Sequence, residues 1–281
     1  MGDGIRLGSS GILPPVVKNL LIINGLFFLA KIVLANLNID LDSILGLHYY
    51  AASDFHVWQF FTYMFMHADF GHIFFNMFAL WMFGAVVENV WGGRRFLIYY
   101  LLTGIGAAAC HYLIVYFQVG GDVALLNAFL DAPSVDTYQT LVENCSAPRL
   151  KPVLENNLQY LLANPGVSSL NELVKVTVEV KDSFLNSYNI IGASGAVFGI
   201  LLAFGMMFPN SEIYLYFLLP IKAKWFVLGY GLLELIYGVT GTADGVAHFA
   251  HLGGMIVGLI IILLWRKKDK NNYYKTYYLD E

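Results

Sequence analysis

Long apolar runs broken by short polar or glycine-containing links set the pattern of this chain. The runs fall at about residues 16–36, 71–91, 96–117, 191–208, 225–241 and 246–265, each near the ~20 residues that an apolar helix needs to cross a bilayer. The pattern predicts an all-α polytopic membrane protein with six transmembrane helices. Residues 37–66 read as a polar and aromatic loop holding Asp40, Asp42, Asp54, His56 and Trp58 but no Lys or Arg. Residues 118–187 read as a small soluble insertion, mostly helical, between the third and fourth spans. Within it Pro133-Ser134-Val135-Asp136 suits a helix start, and Ser169-Leu170-Asn171-Glu172 fits a capping box. Residues 174–181 alternate apolar and polar, which leaves a strand open there. The expected division is an N-terminal segment at 1–15, partly disordered, spans one to three at 16–117, the insertion at 118–187, spans four to six at 188–265, and a basic tail at 266–281.

Composition agrees with this reading. The 281 residues are 58% hydrophobic and 13% charged, with mean hydropathy +0.61, against about 25% charged residues in soluble domains. The first apolar run has no small-residue cleavage site and more spans follow it, so it reads as a span and not as a secretory signal. The insertion carries eight acidic and four basic residues, which accounts for the whole net charge of −4. No basic-aromatic patch points to nucleic acid. Cys110 and Cys145 give no disulfide framework. Arg6 with Lys18, Arg94 with Arg95, Lys222 with Lys224, and the tail all fall on one side of six spans. Both termini are therefore expected in the cytoplasm, with the insertion outside. Lys31, near the far end of the first span, has a stem long enough to reach the interface. The expected setting is a bacterial inner membrane; in a eukaryotic secretory setting Asn144-Cys145-Ser146 would be a glycosylation sequon.

Chemistry concentrates in three places. Gly192-Ala193-Ser194-Gly195-Ala196-Val197-Phe198-Gly199 puts a serine at the mouth of an apolar helix. A serine needs a base to become a nucleophile, and free N–H groups at a helix start can hold an oxyanion. Ala250-His251-Leu252-Gly253-Gly254 leads into a second small face, Gly254 and Gly258. Two helices meeting through Gly195/Gly199 and Gly254/Gly258 would bring Ser194 to His251 at matched depth. His72 and Asn76, at i and i+4 on the second span, lie ~6 Å apart along the axis and can both donate hydrogen bonds. Taken singly, the serine could be a packing residue and the histidines could be satisfied by backbone. Together they suit acyl transfer.

These motifs resemble the rhomboid intramembrane serine proteases over residues 16–117 and 188–265. The resemblance rests on the histidine-x-x-x-asparagine pair (His72, Asn76), on G-x-S-G (Gly192, Ser194, Gly195) and on A-H-x-x-G-x-x-x-G (Ala250, His251, Gly254, Gly258). It implies a catalytic dyad with Ser194 as nucleophile and His251 as general base. His72, Asn76 and the serine amide would hold the oxyanion. No metal or cofactor is implied, and the substrates would be single-span membrane proteins. Phe198 stands where an aromatic packs on the catalytic imidazole, and Glu88 resembles a buried helix-linking glutamate.

The chain also departs from the family. Trp58-Gln59 replaces the usual tryptophan-arginine, and the insertion is longer than the usual loop. Beside the expected active-site mouth, that insertion is either a substrate-recruiting lid or a tolerated expansion. His67 is a candidate pocket-lining residue, and His248, one turn before His251, competes for the role of base. The pairs His67/His72 and His248/His251 also raise zinc, but no His-Glu-x-x-His run is present and nearby carboxylates are few. A catalytically silent rhomboid-like protein that binds or escorts membrane proteins is the main alternative. A transporter is disfavoured, because the polar groups gather at one depth and no inverted repeat appears.

Overall fold

In the computed structural model, residues 12–215, 218–241 and 246–278 are described. Arg6 and most of the 1–15 segment lie outside them, as do the last three residues of the tail. The chain is mostly helical and divides into two compact units, one of residues 1–46, 58–111 and 190–281, the other of residues 47–57 and 112–189.

In the first unit, α1 spans Pro15–Ala35, with proline in its first turn where no N–H partner is needed. The N–H groups of Val16 and Val17 donate to the Glu88 carboxylate at 2.9 and 2.7 Å. Glu88 thus ties the start of α1 to another helix, as its resemblance implied. Short helices α2 (Leu41–Leu45) and α3 (Gln59–Thr62) and a 3-10 turn at Tyr63–Phe65 occupy the expected loop. Next come α4 (Phe70–Ala79), a π-helical turn at Leu80–Gly84 and α5 (Ala85–Trp91), forming one continuous apolar rod.

The helix α6 covers Gly93–Asp131, whereas the sequence suggested an end near residue 117. Gly120 and Gly121 fail to break it. Val119, Leu126 and Phe129 on its second half are fully buried, and that packing outweighs the glycines' weak helix propensity. In the second unit α7 (Val135–Asn144) starts at the expected Ser134, whose side chain and that of Thr137 cap each other's backbone. It is followed by α8 (Lys151–Ala163) and α9 (Val167–Asn186). The expected capping box at Ser169 is not used: α9 begins earlier, after Gly166, with no side-chain cap. Residues 174–181 are helical, and burial of Leu173, Thr177, Phe184 and Leu185 follows a helical stripe. Tyr138, Leu141 and Leu154 complete a core with Leu126 and Phe129.

Back in the first unit, α10 spans Ser194–Met207, α11 Ala223–Thr240 and α12 His248–Tyr278. Between α10 and α11, strands β1 (Glu212–Leu215) and β2 (Leu219–Lys222) pair antiparallel, Glu212 opposite Lys222 and Leu215 opposite Leu219. This hairpin departs from the all-α expectation. Pro209 and Pro220 bar helix from the stretch, while Ile213, Tyr214 and Ile221 favour strand.

Among the described residues, four helices are long and apolar enough to cross a membrane: Pro15–Ala35, Phe70–Trp91, Gly93–Asp131 and His248–Lys267. At 14 residues α10 is shorter than a usual span, and ten of those residues are buried. Its surroundings are protein, not lipid.

Candidate active site

The site is assembled where α10 begins. Gly192 has φ +130°, a conformation that favours glycine, and its N–H donates to the Tyr63 carbonyl at 2.9 Å. A Cβ built on it would lie 2.8 Å from His72 Nε2 and 3.6 Å from Ser194 Oγ. Only glycine leaves the space between those two groups open. Ser194 is the first residue of α10, so its own N–H and those of Gly195 and Ala196 have no carbonyl one turn back, the first such bond being Val197 N–H to Ala193.

Gly254 of α12 packs directly on the Gly195 carbonyl, where any side chain would collide with backbone. This approach brings His251 Nε2 to 2.8 Å from Ser194 Oγ. The Phe198 ring, one turn along α10, lies parallel to the imidazole with centroids 4.2 Å apart and planes 8° off. Tyr230 of α11 backs Phe198 at 5.3 Å. The other half of the expected glycine seam is arranged differently. Gly258 makes room for the Tyr99 hydroxyl of α6, and Gly199 packs on Thr103 while its carbonyl accepts from Tyr99 at 2.8 Å. A third helix therefore sets the depth of the seam.

His72 is fixed at both ends. Asp69 caps α4 by accepting the His72 N–H at 2.8 Å, and His72 Nδ1 accepts from the Ala68 N–H at 3.3 Å. With Nδ1 accepting, the proton of the neutral ring sits on Nε2, the atom nearest Gly192. The Asn76 amide donates to the His72 carbonyl at 2.9 Å. That uses one of its two hydrogens. His67 packs edge-on against His72, 5.1 Å between centroids. Burial, reinforced by His72, pushes the His67 pKa down to about 3, so it stays neutral. Lys31 Nζ donates to the His67 and Ala68 carbonyls at 2.7 and 2.8 Å and pairs with Asp42. It ends on protein groups and does not simply reach outward.

His248 does not face the serine. Its Nδ1 lies 2.7 Å from Glu234 Oε2, and its ring stands perpendicular to that of His251 at 6.4 Å. The same Glu234 oxygen lies 2.9 Å from His251 Nδ1. That approach is close but bent away from a straight hydrogen bond, and His251 Nδ1 has no other partner among the described residues. Sequence reasoning overlooked Glu234 because it sought carboxylates near the histidines in sequence. The available signal was an acid in the apolar run Gly231-Leu232-Leu233-Glu234-Leu235-Ile236, where a charge is a functional hypothesis by default. Glu234, His248 and His251 also offer three donor atoms within 4.8 Å of one another, a set that could take a metal ion.

Comparison with known proteins agrees with this architecture. The rhomboid-domain profile matches residues 54–139 and 158–268. An uncharacterized mitochondrial rhomboid protein of Schizosaccharomyces pombe is 24% identical over 75% of this chain and 52% of its own length. A chloroplastic rhomboid-like protein of Arabidopsis thaliana is 28% identical over 67% of this chain and 68% of its own. The rhomboid protease GluP of Bacillus subtilis is 36% identical over 24% of this chain and 14% of its own. The chain thus spans about half the length of the yeast relative. With its profile match and its long apolar helices, this integral membrane protein belongs to the rhomboid family.

Proposed function

We propose that this protein is an intramembrane serine endopeptidase that cleaves single-span membrane proteins in or near their transmembrane segment. The reading rests on one observation above all, the 2.8 Å approach of Ser194 Oγ to His251 Nε2 beneath the Phe198 ring. In this mechanism His251 takes the Ser194 proton as Oγ attacks the scissile carbonyl. A peptide bond inside a helix has no room for that attack, so the substrate unwinds first. It enters laterally past α11, whose Leu228, Leu232 and Val239 are exposed. The oxyanion accepts from the Ser194 backbone N–H, His72 Nε2–H and the Asn76 amide. His251 then protonates the leaving amine, and water releases the acyl group. Each step uses side chains, backbone and water.

The same reading takes α10 and α11 as the fourth and fifth of six spans. A helix surrounded by protein need not meet the full lipid thickness. Residues 118–187 then form an extracytoplasmic insertion, the site opens on that side, and both termini are cytoplasmic, as the Lys and Arg distribution supports. For the membrane we retain the bacterial inner membrane. Two of the relatives are organellar, so imaging of a tagged chain is the direct check.

Purified wild type, Ser194→Ala, His251→Ala and His72→Ala are compared on a single-span reporter in detergent. Cleavage by wild type, loss of at least about 10³-fold in the first two variants, and a loss of about 10²-fold in His72→Ala support the proposal. Wild type that neither cuts nor takes a fluorophosphonate label on Ser194 would overturn it in favour of a silent, escorting relative.

A further inference from the structure

The geometry points to Glu234 as the positioning acid of His251, with His248 as the group that holds Glu234 in place. The inference rests on the proposed serine mechanism and adds a residue outside its motifs. All three side chains are buried, Glu234 and His251 each 7% exposed and His248 6%. A carboxylate in such a place is costly unless its oxygens find donors. The donors here are imidazole Nδ1 atoms, 2.7 Å away on His248 and 2.9 Å on His251.

The base in this chemistry needs a lone pair on Nε2, so a neutral His251 must carry its proton on Nδ1. Stacking on Phe198 fixes the plane of the ring but neither its tautomer nor which way over it lies, because both tautomers and both orientations stack equally well. An acceptor beside Nδ1 removes that ambiguity. Glu234 Oε2 is the one acceptor found there among the described residues. A small swing of the carboxylate, within the pivot that His248 provides, straightens the bent contact. When His251 takes the serine proton, the same oxygen faces the new positive charge in a medium of low dielectric. Among the described residues, the imidazoles of His72 from α4 and His111 from α6 also interact electrostatically with His251, and neither is an anion. Tyr237 of α11 flanks His248 at 5.5 Å and completes the support.

A zinc ion is the competing occupant of these donors. Tetrahedral ligands at about 2.0–2.1 Å from zinc stay roughly 3.3 Å apart. The separations of 2.7 and 2.9 Å are those of hydrogen bonds.

The test uses the full-length protein in detergent, with steady-state cleavage, nitrogen NMR of labelled histidine, and metal analysis. Glu234→Gln is expected to lower kcat by about 10²–10³-fold with KM within about twofold, less than the roughly 10⁴-fold that loss of a tautomer-fixing acid costs in a full triad, because Phe198 still holds the plane of the ring. Glu234→Asp is expected to recover at least about tenfold of that loss, and His248→Ala to cost about tenfold. The His251 resonances are expected to show an Nδ1–H tautomer in wild type and an Nε2–H tautomer in Glu234→Gln. Melting curves of the two Glu234 variants separate misfolding from mispositioning. The NMR readout needs no turnover, so it tests this inference even if wild type cleaves nothing. An unchanged kcat in Glu234→Gln, an Nε2–H tautomer in wild type, or one equivalent of zinc whose chelation stops cleavage would each overturn it.

Discussion

Two apolar helices of this molecule, α1 and α10, look alike in sequence and live in different solvents. Of the 21 residues of α1, three are buried, Val17, Leu20 and Asn24. Of the 14 residues of α10, ten are buried. Along α1, Leu26, Leu29, Ile32 and Val33 are more than half exposed, as suits the outer face of a helix long and apolar enough to cross a membrane. Hydropathy alone cannot separate these cases, because a lipid tail and a leucine side chain are equally apolar. What separates them is the size of the residues. The helix α10 alternates Gly, Ala and large side chains so that α6 and α12 can approach its backbone. By contrast α1 is attached at its two ends, by Glu88 on its first N–H groups and by Lys31 on the His67 loop.

The comparison can be broken at the seam first. Gly254→Val forces a branched side chain onto the Gly195 backbone, which has no means to yield. It should destabilise the protein by about 3 kcal/mol or more and abolish cleavage, as read by melting in detergent and the reporter assay. Removing the end anchor of α1 should be milder. Glu88→Ala leaves the Val16 and Val17 N–H groups without their acceptor and should cost about 1–3 kcal/mol by the same melting assay.

The loop that Lys31 holds gives a pH-dependent effect. His67 is neutral when folded down to about pH 3, whereas the unfolded chain takes up the proton near the ordinary histidine value. The unfolded state therefore binds more protons between those limits, and acidification through this window should lower stability. In melting curves taken across it, His67→Phe should flatten the slope; an unchanged slope would place the acid sensitivity elsewhere. The smallest effect belongs to the lipid face. Leu26→Ala on α1 should shift stability by no more than about 0.5 kcal/mol, whereas Leu201→Ala in α10 should cost about 2–4 kcal/mol.

The motif residues were legible because a lone serine or histidine beside glycines is conspicuous in an apolar run. Ser194, His251, His72 and Asn76 needed only spacing to be picked out. Glu234 carries no such local mark. Its meaning depends on the pairing of α11 with α12, a contact between residues far apart in sequence, and the partner's identity appears only once that pairing exists. The boundaries of α6 and α9 were misread for a related reason: burial of Val119, Leu126 and Phe129, and of Leu173 and Thr177, decided them against the local turn signals. The β1–β2 hairpin lay inside a stretch read only as a link. Local chemistry marked the residues that react, while tertiary packing chose those that hold them.

The π-helical turn at Leu80–Gly84 has a consequence for how this region tolerates change in chain length. Such a turn contains one residue more than the α-helix it interrupts. Deleting a single residue there would heal the helix and lose no hydrogen bond, so by stability alone it is a mild lesion. The wide turn takes up that residue without advancing the rod, so the faces before and after such a deletion would stay nearly in phase. A deletion from the α-helical part of the rod would instead turn one half by about 100° relative to the other. In that second case Glu88 would remain under α1 while His72 and Asn76 rotated away from the serine. The π turn is thus a slack link between an anchoring half and a reacting half of one rod, where a frame-preserving loss of three bases leaves the two halves in step.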